Sequence, residues 1–378
     1  MALRGVRVLE LAGLAPAPFA GMILADFGAS VIRVDKVQRH TIDTLARGKK
    51  SICLNLNDPR SSALFKRLCI TGDVLIEPYR AGVMEKLGLG PDVLMASNPR
   101  LIYARLTGYG QKGPMAHMAG HDINYLSLSG ILSMLGRKGE NPIPPINLLA
   151  DFSGGSLICV IGILMALLRR TETGKGQIID ANMVNGASYI GTFLHSSRKF
   201  WTGPRGTNLL DSGAPFYETY ATSDGEYMAV GAIEPAFYRN LLKGLGFEES
   251  LADNQFDQSG WEKLKEAFSR TFAGKTQSEW VAVFKDLDAC VTPVLSLDEA
   301  AQHPHNRHSY IPTQDGTLAP APAPRLSESP AVPSDCQSLL GGHTEEILSE
   351  IGVSKEELKR LVKEKVVGIP IVSPQSSL

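Results

Sequence analysis

Short apolar runs alternate with helix-like segments through the first third of the chain, and this alternation constrains the fold most. Residues 6–11, 30–34 and 51–56 have the composition of buried strands, and residues 73–77 and 101–106 continue the series. Helical patterns lie between successive runs. Strands that alternate with helices are typical of a mostly parallel sheet covered by helices. We therefore predict an α/β fold with a doubly wound sheet.

The pattern changes after about residue 205. Residues 216–220 and 227–232 flank a turn-forming sequence, as in a β-hairpin, and helical segments follow up to a strand at 290–295. A chain of 378 residues is also long for one core. We predict a large nucleotide-fold-like domain at 1–200 that is completed by the C-terminal segment 330–378, a small α+β domain at 205–300, and a proline-rich connector at 301–329.

Composition excludes several classes of partner. Lys and Arg number 38 against 39 Asp and Glu, so no overall charge favours nucleic acid or an anionic membrane. The longest apolar run, 157–168, is shorter than the ~20 residues needed to span a bilayer, and no signal-peptide segment precedes the first strand. The five cysteines are odd in number and widely spaced. We expect no membrane span, and buried free thiols in a reducing compartment.

Two sequence patterns bear on cofactors. The first strand lacks the Gly-x-Gly-x-x-Gly fingerprint, since residues 13–18 read Gly-Leu-Ala-Pro-Ala-Pro. A nicotinamide cofactor is therefore not expected. His303, His305 and His308 are closely spaced, but no cysteine or carboxylate pattern accompanies them. We accordingly expect no metal site.

His121 and Asp151 are the candidate proton-transfer groups. His121 lies in the polar segment 120–125 beside Asp122, and Asp151 follows an apolar run and precedes a buried helical pattern. A histidine and a carboxylate with different proton affinities can act as acid and base on one carbon. A structural role for His121 and helix capping by Asp151 are alternatives that the residues alone leave open.

Charged residues at strand ends form a second group of candidates. Glu234 ends an apolar strand, where burial of an unpaired carboxylate costs free energy. A contact that orients a histidine or an ion pair with an arginine would offset this cost. Basic residues collect at or beyond the carboxyl ends of the predicted strands, the edge where open α/β sheets bind ligands. They could hold a phosphorylated ligand, although solvated surface is the alternative for each. These residues are Arg33, Lys36, Arg47, Lys49, Lys50, Arg80 and Arg105.

Eight short motifs are distributed over nearly the whole length of the chain. They are Leu-Ala-Asp-Phe-Gly-Ala at 24–29, Arg-Gly-Lys-Lys-Ser at 47–51, Asn-Pro-Arg-Leu-Ile-Tyr-Ala-Arg-Leu at 98–106, Gly-His-Asp-Ile-Asn-Tyr at 120–125, Asn-Leu-Leu-Ala-Asp-Phe at 147–152, Thr-Gly-Lys-Gly-Gln at 173–177, Gly-Ala-Ile-Glu-Pro at 231–235 and His-Thr-Glu-Glu at 343–346. With these motifs the chain resembles the family III CoA-transferase superfamily, and within it the α-methylacyl-CoA racemases.

The resemblance implies an enzyme that interconverts the 2R and 2S epimers of 2-methylacyl-CoA esters. It implies an interlocked homodimer in which His121 and Asp151 are the acid/base pair and the partner subunit's Glu234 contacts His121. CoA is part of the substrate, and no cofactor is required. The basic residues at the strand ends and the resemblance together predict the residues that bind CoA. These are Arg33, Lys36, Leu54, Asn55, Leu56, Asn57, Arg80, Arg105, Gly120, Asp122, Ile123, Asn124 and Tyr125.

The chain departs from the family pattern at three positions in this set. Lys36 stands where arginine is frequent, and Asn55 and Asn57 stand where aspartate and lysine are expected. These departures affect the contacts to the CoA phosphates and ribose. They do not affect the acid/base pair.

Two rival functions are compatible with the fold. In a CoA-transferase, Asp151 would attack the acyl-CoA and form a mixed anhydride, and His121 argues against this because a transferase has little use for a second acid/base. In a non-catalytic acyl-CoA-binding protein both residues would be structural. The residues give no preference for acyl chain length.

The resemblance also implies a location and a metabolic role. It implies a peroxisomal protein that serves the oxidation of branched-chain fatty acids and bile acid intermediates, and it leaves a mitochondrial pool open. The ending Ser376-Ser377-Leu378 is a loose variant of the peroxisomal Ser-Lys-Leu tripeptide.

Overall fold

The computed structural model describes residues 1–37, 43–313, 315–334 and 338–370. Cys336 and the Ser376-Ser377-Leu378 ending lie outside the described residues. The chain divides into two compact units. The first unit comprises Met1–Ser129, Ile146–Ile190 and His308–Leu378, and the second comprises Gly130–Pro145 and Gly191–Arg307.

The described chain contains twelve strands. They are β1 (Arg7–Leu11), β2 (Ser30–Asp35), β3 (Lys50–Leu54), β4 (Val74–Glu77), β5 (Ile102–Thr107), β6 (Ile178–Asn182), β7 (Tyr217–Ala221), β8 (Tyr227–Gly231), β9 (Val291–Pro293), β10 (Tyr310–Pro312), β11 (Leu318–Pro320) and β12 (Val367–Gly368).

Fourteen α-helices accompany the strands in the described chain. They are α1 (Pro16–Asp26), α2 (Pro59–Ile70), α3 (Val83–Lys86), α4 (Pro91–Ser97), α5 (Asp122–Ser129), α6 (Ile158–Thr173), α7 (Met183–Ile190), α8 (Thr192–Ser196), α9 (Pro235–Leu245), α10 (Gln258–Phe272), α11 (Gln277–Phe284), α12 (Leu297–Gln302), α13 (Thr344–Glu350) and α14 (Lys355–Lys363). A π-helix (Leu148–Leu157) precedes α6, and 3₁₀ turns lie at Ile131–Met134, Arg198–Phe200, Glu249–Asn254 and Pro304–Asn306.

A seven-stranded sheet organises the first unit. Its strand order is β12-β3-β2-β1-β4-β5-β6, and every neighbouring pair is parallel except the antiparallel pair of β12 and β3. All residues of β4 and β5 are buried, as expected for parallel strands covered on both faces. The predicted α/β class with a large, mostly parallel sheet is therefore confirmed.

Local sequence explains where several helices begin. Asp58 accepts a hydrogen bond from the N–H of Arg60, and Pro59 occupies the first turn of α2. In the second unit, Thr276 and Glu279 form the capping box that starts α11. Gly246 ends α9 at a φ of 77°, a left-handed conformation that favours glycine.

An antiparallel sheet of order β7-β8-β9 forms the centre of the second unit. Its helices bury an aromatic core that includes Phe216, Tyr220, Phe268, Phe272 and Trp280. The ring of Tyr220 stacks on that of Phe272, with centroids 4.9 Å apart. This unit therefore has a hydrophobic core of its own.

The two units do not follow the predicted domain bounds residue for residue. Gly130–Pro145 groups with the second unit, where Arg137 donates hydrogen bonds of 2.6 and 2.8 Å to the buried Glu218. His308 and the residues after it group with the first unit. The segment expected to be a connector contains an antiparallel hairpin, β10-β11.

The longest continuous helical segment runs from Leu148 to Thr173. Its length and mean hydropathy alone would suit a membrane span. Cys159, Ile163 and Ala166 are buried on one side of it, as in the core helix of a globular domain.

Among the described cysteines, Cys53, Cys69 and Cys159 are buried free thiols, as predicted. Cys290, which lies just before β9, is free but exposed, so the expectation of burial is wrong there.

Candidate active site

A cleft of about 440 Å³ opens at the carboxyl ends of β1, β4 and β5 in the first unit. Ala12, Pro78 and Thr107 line it from these three strand ends, and His121 and Asp151 line it from the segments that follow. This edge is where open α/β sheets bind ligands. The cleft continues past Gly120 and His121 into a second recess of about 430 Å³.

Glycines allow the chain to approach two tyrosine rings at the rim of the cleft. A Cβ atom on Gly108 would lie 2.2 Å from the ring of Tyr125, and one on Gly120 would lie 2.6 Å from the hydroxyl of Tyr109. The two rings meet edge to face at 5.0 Å. The segment that carries His121 is therefore packed directly against aromatic side chains.

The backbone of His121 is held by the first turn of α5. Its N–H donates to the side-chain oxygen of Asn124 at 3.1 Å, and its carbonyl accepts the N–H of Asn124 at 2.8 Å. These reciprocal bonds satisfy groups that a helix start otherwise leaves unpaired. The backbone is fixed, while the imidazole is exposed and lines the cleft.

Asp151 does not cap the helix that it was considered to precede. The structure puts it inside the π-helix, and Asn147 precedes that helix without a side-chain capping bond. The first-turn N–H groups of Ala150 and Asp151 both donate to the carboxylate of Asp122, at 2.8 Å each. The helix is thus capped from α5, across 28 and 29 positions in the sequence. π-Helical turns are rare and are frequent at functional sites.

The π-helix packs closely on α7 through two glycines. A Cβ atom on Gly186 would lie 1.8 Å from the carbonyl oxygen of Gly154, so only hydrogen fits there. This contact fixes the segment that carries Asp151 against the rest of the first unit.

The surroundings of Asp151 favour its protonated form. Burial raises the pKa of its carboxyl, the nearby Asp122 raises it further, and the result is about 6. A hydrogen bond from the side chain of Asn147 and the charge of His121 act in the opposite direction and are weaker. Asp151 can therefore exchange a proton near neutral pH.

Two of the basic residues predicted for a ligand line the cleft. Lys36 is exposed, and its Nζ lies 5.5 Å from the ring centroid of Tyr79, over the ring face. Arg80 lies beside it and donates a hydrogen bond to the carbonyl of His117 at 3.3 Å. Both cations are placed to meet an anionic ligand.

The other five basic residues form ion pairs with carboxylates of the protein. The buried Arg33 pairs with Asp35 and Asp43, and Arg105 pairs with Glu77 and Glu85. The guanidinium groups of Arg33 and Arg105 are thus engaged with carboxylates, which argues against the predicted contacts of these two residues with CoA. Three further pairs complete the set, namely Arg47–Asp26, Lys49–Glu10 and Lys50–Glu346.

The remaining predicted residues lie in different places. Leu54 ends β3 and is buried in the core, whereas Asn55 and Leu56 are half-buried and Asn57 is exposed just beyond the strand. The cleft lining does not include these four residues. Ile123 and Asn124 are exposed on the first turn of α5, between the buried Asp122 and Tyr125.

Glu234 belongs to the second unit, where it precedes the first turn of α9. Its side chain is exposed, and no ion pair within the described ranges involves it. The salt bridge considered for it from sequence is therefore not formed within the described chain.

His303, His305 and His308 do not form a metal site with other ligands in the described chain. The Nδ1 atom of His303 instead accepts the N–H of His305.

Two contacts of Asp151 were not predicted from sequence. The Asn147 side chain hydrogen-bonds to it, and the carboxylate of Asp122 accepts its backbone N–H. The motif at 147–152 contains Asn147 four residues before Asp151, and this spacing was the available signal.

Comparison with known proteins identifies the family of the chain. Residues 3–344 match the sequence model of CoA-transferase family III. The chain belongs to this family. A CAIB/BAIF family protein from Brucella suis has a crystal structure that resembles it with a TM-score of 0.77 at 25% identity, over 92% of this chain and 98% of the other.

Within CoA-transferase family III, the chain is more similar in sequence to a racemase than to a CoA-transferase. Human α-methylacyl-CoA racemase is 54% identical over 97% of this chain and 98% of its own length. The beta subunit of succinyl-CoA–L-malate CoA-transferase from Chloroflexus aurantiacus is 31% identical, again over 97% of this chain and 98% of its own length. The resemblance stated from the sequence motifs is confirmed.

Proposed function

We propose that the protein is an isomerase that interconverts the 2R and 2S epimers of 2-methylacyl-CoA thioesters. The observation that carries the proposal is the presence of His121 and Asp151 on one cleft at the carboxyl edge of the sheet. The 54% identity to human α-methylacyl-CoA racemase supports the same reaction.

The two side chains suit a two-base reaction. The reaction removes the weakly acidic proton next to the thioester and returns a proton to the opposite face of the same carbon. It therefore requires a base on one side of the carbon and an acid on the other. His121 and Asp151 exchange these roles between the two directions. The pKa of about 6 makes Asp151 a stronger base than an ordinary aspartate and still allows it to give up its proton at neutral pH.

The intermediate is an enolate, whose oxygen needs hydrogen-bond donors. We propose the N–H of Asp122, in the first turn of α5, as one donor, because helix starts direct N–H groups toward negative charge. A donor of this kind contributes about 3 kcal/mol to the stability of the transition state. Proton transfer between these two side chains and the α-carbon of the substrate requires no cofactor, and CoA enters as part of the substrate.

The CoA portion of the substrate needs cations for its phosphates. Lys36 and Arg80 line the cleft and are the candidates. We propose that residues 54–57, at the end of β3, and residues 120–125 provide further contacts. Lys36 would act as a single charge where an arginine would offer a planar pair of donors.

We propose a homodimer in which the partner subunit's Glu234 contacts His121. An apolar stripe on α6 supports a subunit interface: Ile161, Leu164, Met165 and Leu168 follow helical spacing, and Met165 and Leu168 are 65% and 71% exposed. Sedimentation velocity tests this part of the proposal. Replacement of Leu168 by aspartate should reduce the dimer fraction, whereas Arg169→Ala, next to it in the sequence, should leave it unchanged.

One experiment separates the proposed reaction from its two rivals. The protein is incubated in D₂O with a single epimer of a 2-methylacyl-CoA and no acceptor acid. Epimerisation with deuterium uptake at the α-carbon supports the racemase. Acyl transfer to a carboxylic acid added afterwards, without such uptake, would support a CoA-transferase with Asp151 as nucleophile. Tight binding without either reaction would support a binding protein.

We also propose that the protein is peroxisomal, with a mitochondrial pool as a second location to be tested, and serves the oxidation of branched-chain fatty acids and bile acid intermediates. The sequence resemblance and the ending Ser376-Ser377-Leu378 support the location. A fluorescent reporter fused to these last residues should enter peroxisomes, and a reporter that ends in Ser-Ser-Ala should not.

A further inference from the structure

The side chain of Asp122 connects the two segments that carry His121 and Asp151. It directly follows His121 in the chain, and it is only 3% exposed. One carboxylate oxygen, Oδ2, accepts both the N–H of Ala150 and the N–H of Asp151 itself at 2.8 Å. A single carboxylate therefore fixes the backbone of Asp151 relative to that of His121.

The second oxygen of this carboxylate has no partner. Oδ1 is buried without a hydrogen bond, and no salt bridge among the described residues includes Asp122. Buried carboxylates are normally paired with a cation, because an unpaired charge is costly away from water. No lysine or arginine of the described ranges forms an ion pair with Asp122, and its carboxylate acts on the neighbouring Asp151 at low dielectric.

We infer that Asp122 is a positioning residue for Asp151: its two hydrogen bonds hold the π-helix start that carries Asp151, and its negative charge, together with the burial of Asp151, sets the pH range in which Asp151 works as a base. The inference deepens the proposed racemase function and rests on it for the reaction. Its structural part, the coupling of the two carboxylates, does not depend on any activity.

Other groups that face Asp151 act more weakly or in the opposite direction. His121 and the amide of Asn147 favour the ionised form of Asp151, whereas burial and Asp122 favour the protonated form. The phenol of Tyr125 also lies nearby, and its pKa is raised to about 12, so it stays neutral in the working range. Lys36 and Arg80 line the same cleft, and the partner subunit's Glu234 is proposed to reach His121. Asp122 is therefore the only negative charge within the described chain that both contacts the Asp151 backbone and opposes ionisation of the Asp151 carboxyl.

The test uses Asp122→Asn, which keeps an oxygen able to accept the two N–H groups but removes the charge. A matched control is Asp257→Asn, because Asp257 also accepts a helix-start N–H, that of Ser259 at 3.0 Å, and lies in the second unit. The first readout is the ¹³C chemical shift of the Asp151 carboxyl as a function of pH, assigned by comparison with Asp151→Asn. We expect a midpoint near 6 in the unchanged protein and in the control, and a lower midpoint that stays above 3.8 in Asp122→Asn.

The second readout is the pH dependence of kcat/KM for α-proton exchange, measured from each epimer. In Asp122→Asn the acid limb should move to lower pH for the epimer whose proton Asp151 removes, and stay in place for the other epimer. Asp122→Ser serves as a second variant if Asn does not fold, because its hydroxyl is also uncharged and accepts hydrogen bonds.

Each outcome decides the inference. An unchanged Asp151 midpoint in a folded, uncharged variant overturns it, and so does a lower rate with an unshifted pH profile, which indicates a purely structural role. If the unchanged protein exchanges no α-protons, the racemase proposal fails. The carboxyl titration then still shows whether Asp122 controls Asp151.

Discussion

The hydroxyl of Tyr125 donates a hydrogen bond to the carbonyl of Gly120, the residue that precedes His121. The same ring lies against the α-carbons of Gly108 and Gly120, where no side chain fits. Gly108 and Gly120 are not among the described glycines with a left-handed φ. Glycine is therefore required at both positions because a side chain would clash with the ring, and not because of the backbone conformation. The position of His121 therefore depends on an aromatic ring packed against bare backbone.

Substitution of Gly120 by alanine should displace His121 and reduce activity. A Cβ atom there would lie 2.6 Å from the Tyr109 hydroxyl and 2.8 Å from the Tyr125 ring, so the segment must shift. A displacement of about 1 Å at a catalytic group lowers rates by about 100-fold. Gly260→Ala is the control, because a Cβ atom at that position meets nothing within 4 Å. Equal kcat/KM in the two variants would contradict this account of the cleft.

His121→Ala and Asp151→Asn should each nearly abolish exchange of the α-proton with deuterated solvent. Loss of one member of an acid/base pair lowers the rate by about 10² to 10⁴-fold. Affinity for a CoA ester should stay within several-fold, because neither side chain is assigned to the phosphates. Exchange rates are measured by mass spectrometry and affinities by calorimetry. Exchange at the unchanged rate in either variant would exclude the two-base scheme.

Asp151→Asn should also make the protein more stable above pH 6. The carboxyl has a pKa of about 6 when folded and 3.8 ordinarily, so the folded state binds more protons between these values. The free energy of unfolding therefore falls as pH rises through this range, and the carboxylate destabilises the fold above it. Removal of the charge should add about 1–2 kcal/mol at pH 7.5, after allowance for partial exposure to solvent.

Thermal denaturation of Asp151→Asn at several pH values measures this gain. The advantage over the unchanged protein should shrink below pH 6 and vanish below pH 4. A gain that is independent of pH would show that the carboxylate is not its source.

Two neighbouring lysines at the start of β3 should differ sharply in their contribution to stability. Lys49 is buried and donates to Glu10 and to the carbonyl of Pro18, and burial raises the pKa of Glu10. Lys49→Met leaves the Glu10 carboxylate without its cation and should cost about 3–5 kcal/mol. Lys50 pairs with Glu346 at the surface, and Lys50→Ala should cost less than about 1 kcal/mol. Chemical denaturation measures both, and similar losses would show that the Lys49 pair is not effectively buried.

The strands and most helix starts could be predicted because local sequence determines them. β2 begins at Ser30 as expected, and β4 ends at Glu77 as expected. Asp58 and Pro59 mark the start of α2 through a side-chain cap and a fixed φ. In such cases the signal and the structure it specifies lie within a few residues.

Contacts between distant segments could not be predicted in this way. Asp122 caps the π-helix from a different helix, so helix capping by Asp151, which the sequence left open as an alternative, does not occur. Arg33 and Arg105 occur at the predicted sheet edge, but the carboxylates that engage them come from positions up to 28 residues away. Sequence spacing indicates which residues reach an edge of the sheet, and it does not indicate which of them remain free.

The pairing of β12 with β3 has a consequence for biosynthesis. β3 ends at Leu54 and its outer neighbour begins at Val367, which is 367 − 54 = 313 residues later. At translation rates of about 5–20 residues per second, the ribosome needs roughly 15–60 s to make the intervening chain. During that time β3 presents an open hydrogen-bonding edge on the nascent chain, which other strands can join. The first unit is therefore completed only after the second has been synthesised. A chain released from the ribosome before Val367 has been made keeps that edge unprotected.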